Sequence, residues 1–134
     1  MTSNQGSSSG VRTGELALER NDPGVAVLTI SGEHDLSTAP SLRRRLDGLL
    51  DEGIATVLDL SPATFIDSSI LSVILDGRRL AAEARIGFAV ARQTASDAVD
   101  RVLEVTGLRT ELPVHARLEE AIVAASGNGG KTPS

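Results

Sequence analysis

The triplet Asp67-Ser68-Ser69 places two hydroxyls directly behind a carboxylate, where an apolar run with helical spacing begins. Asp and Ser are favoured at helix N-termini because their side-chain oxygens accept backbone N–H groups that the first turn leaves unpaired. Those donors and the positive end of the helix dipole also make such a terminus hospitable to a phosphate. Two readings follow: a capping device alone, or a place that accepts a negative group such as a phosphate. Catalysis by the serine itself fits poorly. Ser68 lies on no Gly-x-Ser-x-Gly elbow, and no Gly-x-x-x-x-Gly-Lys-Ser/Thr loop occurs. The only histidines, His34 and His115, lie far apart without ligand spacing, and a surface or loop position is expected for each. The chain is therefore read as non-enzymatic, with no cofactor or metal of its own.

On a helix starting at Ser68, residues Ile70, Val73, Ile74, Gly77, Leu80, Ala81 and Ala84 share one apolar stripe. Ser68, Ser72, Asp76, Arg79 and Glu83 fall opposite, so Ser68 faces water and Ser69 sits at the boundary. Between the two faces runs a shoulder of Leu71, Leu75, Arg78 and Ala82. Leu71 and Leu75 are either partly exposed apolar groups suited to docking beside Ser68, or cover for the core edge.

The elements that must position this helix can be read outward from it. Ahead lies the strand-like run Val57-Leu58-Asp59-Leu60, closed by the turn residues Ser61-Pro62. Further upstream, Glu15–Arg20 alternates charged and aliphatic residues, Val25–Ile30 is a β-prone run, and Asn21-Asp22-Pro23-Gly24 between them has turn chemistry. A β-hairpin is expected, its second strand apolar on both parities and hence central. Gly32-Glu33-His34-Asp35-Leu36-Ser37-Thr38-Ala39-Pro40 reads as a loop entering a helix that Ser37 or Thr38 caps, with Leu42, Leu46, Leu49 and Leu50 inward. Arg43, Arg44 and Arg45 then point mostly outward, as a solvated face or as a site for a phosphate or an acidic partner.

Downstream, Arg85–Ala91 reads as a short strand, and Thr94–Thr106 as a helix with Ala95, Val99, Val102 and Leu103 inward and Gly107 ending it. Leu112-Pro113-Val114 would be a brief edge strand. Leu118, Ala121, Ile122 and Ala125 mark a last helix. The expected order is ββαβαβαβα: one α/β domain with a mixed sheet, parallel later strands, and helices mainly on one face. Residues 1–12 and 126–134 read as tails around a domain at 13–125.

Composition narrows the function classes. The chain has 134 residues, 40% apolar and 23% charged, with a net charge of -5. Phe65 and Phe88 are its only aromatics, which with the acidic balance argues against direct nucleic-acid binding. Without cysteine there is no disulfide, thiol catalysis or thiolate metal site. No run approaches the length of a membrane span, so a cytoplasmic address is expected by default. Abundant Ala, Arg, Gly, Val and Leu suggest a GC-rich bacterial coding sequence.

Three stretches together carry a family resemblance. Gly32-Glu33-His34-Asp35-Leu36-Ser37-Thr38-Ala39-Pro40, Phe65-Ile66-Asp67-Ser68-Ser69 and Val102-Leu103-Glu104-Val105-Thr106-Gly107-Leu108 match, in order and spacing, a loop, a phosphorylation motif and a late helix ending. In these the chain resembles the STAS domain, the module of anti-sigma factor antagonists and of sulphate transporter tails. The resemblance implies a partner switch in stress-responsive transcription regulation. In the family, an unphosphorylated antagonist binds an anti-sigma factor that is itself a serine kinase and so frees a sigma factor. Phosphorylation of the serine after the motif Asp, here Ser68 and less so Ser69, ends binding, and a serine phosphatase resets it. ATP, metal and catalytic base then belong to the kinase.

The family's acidic positions map to Asp35 and Asp67, and the implied partner surface comprises Glu33, Asp35, Asp67, Ser68, Leu71, Ser72 and Leu75. Two departures stand out: Ile70 where the family usually has Gly, and Asp97 where many relatives have Pro. Ile70 favours an alternative, a STAS scaffold or adaptor subunit of a larger signalling or transport complex that is never phosphorylated. The retained Asp67-Ser68 pair and the absence of a fused membrane span favour the switch.

Overall fold

The computed structural model describes residues 14–21, 24–93, 97–105 and 114–128. Its elements, in chain order, are β1 (Glu15–Asn21), β2 (Val25–His34), α1 (Ala39–Asp51), β3 (Ala55–Asp59), β4 (Ala63–Ile66), α2 (Ser68–Ala84), β5 (Phe88–Ala91), α3 (Asp97–Val105), β6 (Val114–His115) and α4 (Leu118–Asn128). The expected hairpin is present: β1 pairs antiparallel with β2, and Gly24 N–H closes the turn on the Asn21 carbonyl at 2.7 Å. All other pairings among the described residues are parallel, giving the order β1-β2-β3-β5-β6, with β4 joined separately to β2.

The two parities of the central strands build two cores. Leu28, Leu58 and Val90 are register partners facing the layer that holds Leu42 and Leu46 of α1, Ile70 and Ile74 of α2, and Val99 and Leu103 of α3. Val27, Val57 and Ala89, one residue earlier, face the opposite side and pack with Ala121 and Ala125 of α4. Side chains alternate across a strand, so runs that are apolar at every position must be covered twice. Among the described residues, helices cover mainly one face, with α1, α2 and α3 on it and α4 on the other. On the former face Arg43 of α1 reaches Asp76 of α2 at 2.9 Å, and Arg79 meets the same carboxylate at 3.2 Å. No helix among the described residues is long and apolar enough to cross a membrane.

The structure changes several boundaries. Ser31–His34 continue β2 instead of opening a loop, and Ala63–Ile66 form an additional strand, so the order is ββαββαβαβα. Four residues following Ser61-Pro62 carry too little periodic pattern to announce a strand; pairing with β2 makes it one. Arg85 does not begin β5 but ends α2 in the left-handed conformation (φ 61°, ψ 42°), its N–H turned back to the carbonyls of Ala81 and Ala82. Leu80 and Ala84 are exposed near that end. The described part of α3 keeps Val99 and Leu103 buried and Val102 partly so, while Thr94, Ala95, Thr106, Gly107, Leu112 and Pro113 lie outside the described residues. The last strand, β6, stands at the sheet edge beyond β5 and includes His115, half-buried. α4 continues through Ser126 and Gly127 to Asn128, past the end of its apolar pattern.

Candidate functional site

The additional strand assembles the site. β4 runs parallel to the last residues of β2, pairing Glu33 with Phe65 and His34 with Ile66. The register slips between Gly32 and Glu33, and Gly32 takes a positive φ of 78°, which glycine adopts without steric cost. Asp35 and Asp67 are the next residues along the two strands. Both acids therefore leave the same end of the sheet, although 31 residues of chain, from Leu36 to Ile66, lie between them. The C-terminal ends of parallel strands are where α/β sheets commonly place binding sites.

Each acid organises the turn that follows it. The Asp67 carboxylate caps α2, accepting the N–H of Ser69 at 2.9 Å and of Ile70 at 3.2 Å. It also accepts the Ser69 hydroxyl at 2.5 Å, so that hydroxyl is committed. Ser68 differs: it is exposed, and its hydroxyl has no hydrogen-bond partner among the described residues. Asp35 repeats the arrangement without a helix, accepting the Ser37 N–H at 2.9 Å and the Ser37 hydroxyl at 2.6 Å. These bonds, the hydroxyl foremost, hold the Asp35 carboxyl below its ordinary value of 3.8.

Ser37→Ala should therefore raise the Asp35 pKa toward that ordinary value, read by NMR titration of the carboxyl carbon. The sign follows from linkage. A carboxylate whose pKa is lowered by folding stabilises the fold above the unfolded value, and that contribution is lost as pH falls through the folded value. An Asp35 titration identical in wild type and variant would remove the Ser37 hydroxyl as a cause.

Behind this turn His34 is 1% exposed, which corrects its expected surface or loop position. Its Nε2–H donates to the Ser31 carbonyl at 3.0 Å, and Nδ1 lies 3.0 Å from the Thr38 hydroxyl oxygen. Both ring nitrogens are thereby satisfied, as burial of a polar ring requires. The Thr38 oxygen also accepts the Asp35 N–H at 3.1 Å and lies 3.1 Å from the Asp35 carbonyl oxygen, which shares the single Thr38 hydroxyl proton with Nδ1. Thr38 thus stands at the N-cap of α1 without capping it through its side chain; it braces the Asp35 turn instead.

Of the residues expected on the partner surface, Glu33, Asp35, Ser68 and Ser72 are exposed, Asp67 is half-buried under its capping bonds, and Leu75 is half-buried at the core edge. Leu71 is a correction. It is 3% exposed, inside the same core cluster as Ile66, Val99 and Leu103, so it is core and not docking surface. The contribution of α3 to that cluster is what a one-helix reading of the shoulder omits. Conversely, Leu36 at 73% and Phe65 at 40% exposure are apolar groups at the site that the sequence reading passed over. The available signal was an apolar residue inside turn chemistry for Leu36 and the outward position beside buried Ile66 for Phe65. Ile70 points fully into the core, as its helical position suggested, and presents only its N–H to Asp67.

The family model of the STAS domain matches residues 18–121. The chain belongs to the STAS domain family. No curated protein matches. Among solved structures, this STAS domain is similar to an anti-sigma factor antagonist from Mycobacterium paratuberculosis, at 27% identity and TM-score 0.72 over 85% of this chain and 95% of that one. The anti-sigma factor antagonist SpoIIAA in its unphosphorylated form shares the fold at 18% identity and TM-score 0.65, over 84% and 99%. The phosphorylated form of Bacillus SpoIIAA gives 21% and 0.63, over 81% and 97%. A sulfate transporter family protein from Wolinella succinogenes also shares it, at 19% and 0.62, over 81% and 89%.

Proposed function

We propose that this STAS domain is an anti-sigma factor antagonist that binds an anti-sigma serine kinase while unphosphorylated, frees a sigma factor, and is switched off by phosphorylation of Ser68. The general role is supported by likeness to the Mycobacterium paratuberculosis antagonist. The switch rests on one observation: at the start of α2, Asp67 and Ser69 satisfy each other and Ser68 alone offers an exposed, uncommitted hydroxyl. A kinase needs a hydroxyl that can reach its own ATP, and a committed one would first have to break its bond to a carboxylate. Around Ser68 the surface combines the acids Glu33, Asp35 and Asp67 with exposed Leu36 and Phe65, a mixture of charge and apolar area suited to a protein partner. A serine phosphatase completes the cycle, and the setting is the cytoplasm.

A second reading keeps the docking surface and drops the phosphorylation. Ile70 favours it, standing where the family usually has Gly, and the domain would then be a constitutive adaptor. Incubating wild type and Ser68→Ala with Mg-ATP and soluble extract of the native host, followed by phosphopeptide mapping, separates the two. Phosphate on Ser68 of the wild type, absent from the variant, is expected. Phosphate elsewhere, or none while a co-purifying kinase remains active on another substrate, would overturn the switch and leave the adaptor.

A further inference from the structure

The arginine triplet of α1 is divided by the fold. Arg43 turns to Asp76 of α2, while Arg44 and Arg45 are exposed and have no ion-pair partner among the described residues. Both line a cleft of about 300 Å³ between α1 and the start of β1, together with Thr38, Ser41 and Leu16. Two uncompensated guanidinium groups converging on one cleft are unexpected in a chain of net charge -5. We propose that this cleft is a binding site for a small phosphate-class anion of at least two negative charges, held by Arg44, Arg45 and Ser41.

The donors are of the right kind and are available. A planar guanidinium offers paired N–H groups that match phosphate oxygens, and it stays charged at every physiological pH. Arg44 Nη2 donates to the Ser41 hydroxyl oxygen at 3.3 Å, which leaves the Ser41 proton free to donate into the cleft. Ser41 and Arg45, four residues apart, share a helix face with Thr38, so the donors converge. The floor is His34, whose ring nitrogens are already bonded, so it shapes the cleft and does not bind. Leu16 supplies an apolar wall. The volume falls at the small end of the ~300–1,000 Å³ typical of small-molecule sites, more than one phosphate group needs and too little for a large cofactor.

The probe is inorganic pyrophosphate, titrated at constant ionic strength into the isotope-labelled protein and followed by amide NMR. Saturable shifts centred on Thr38, Ser41, Arg44 and Arg45 are expected. The double variant Arg44→Ala/Arg45→Ala should weaken binding at least about tenfold, as expected for losing two charge-assisted contacts. Both positions are exposed in mid-helix, so alanine there preserves the fold. Arg79→Ala and Ser68→Ala should bind like the wild type. Shifts that never saturate, or that persist in the double variant, would overturn the site. Loss of binding in Ser68→Ala would also overturn it, by moving the anion to the start of α2. Tighter binding of a hexaglutamate peptide through the same two arginines would replace the small anion with an acidic chain and equally overturn the proposal.

Discussion

Under the proposed switch, phosphorylation of Ser68 is expected to weaken binding to the proposed anti-sigma serine kinase about a hundredfold while leaving the thermal stability of the isolated domain nearly unchanged. The two halves of this result have separate causes. Ser68 is exposed and its hydroxyl holds nothing together, so modifying it breaks no contact within the fold. The N-terminus of α2 even favours a phosphate through its dipole, which offsets repulsion from Asp67. In an interface the balance reverses. A phosphoserine brings about -1.5 to -2 charges to a surface that already carries Glu33, Asp35 and Asp67, and closing the complex must strip water from all of them. A penalty of ~3 kcal/mol suffices for two decades of affinity. Calorimetric titration of both forms against the purified kinase measures the ratio. A weakening below about threefold, with the phosphate confirmed on Ser68, would end the electrostatic account of the switch.

Gly87→Ala should be the most damaging of the conservative core changes, lowering the melting temperature by about 10–15 °C. Gly87 precedes β5, and a Cβ there would lie 1.8 Å from the Ala125 carbonyl oxygen and 2.7 Å from its carbon. The obstacle is backbone, so relief requires shifting α4 as a unit. That would open the contact of Ala121 and Ala125 with Val27, Val57 and Ala89. A loss of ~3 kcal/mol is at the upper end of usual overpacking costs, as expected when no side chain can rotate away. Gly48→Ala is the matched control: it lies within α1 with nothing within 4 Å of the added methyl. There the change should stabilise by about 0.5–1 kcal/mol, because glycine is the poorer helix former. Scanning calorimetry reads both; a fall below about 3 °C for Gly87→Ala would show that α4 is not seated against β5 as described.

Leu28, Leu58 and Val90, Leu42 and Leu46, and Ile70 and Ile74 are legible from the order of residues alone, because burial of a regular element imposes its own period on the chain. The Asp67 cap is legible for a similar reason: its partners, Ser69 and Ile70, lie within three residues. The Asp35–Ser37 turn is equally local. The STAS resemblance itself lies in the three motif stretches.

What the sequence could not decide depends on which distant segment comes alongside. Ala63–Ile66 become a strand only because the end of β2 offers unpaired backbone groups to it, and that pairing alone sets Asp35 beside the start of α2. His34 is buried because its strand reaches further than its apolar run, with Ser31 and Thr38 satisfying both ring nitrogens. Leu71 is enclosed because Val99 and Leu103, from another helix, extend the core around it, whereas Leu36, equally apolar, stays in water. Arg43 is drawn to Asp76 and its two neighbours are left to the cleft. Periodicity assigns a residue to a face of its own element. What that face meets is set by tertiary pairing between strands and helices far apart in the chain.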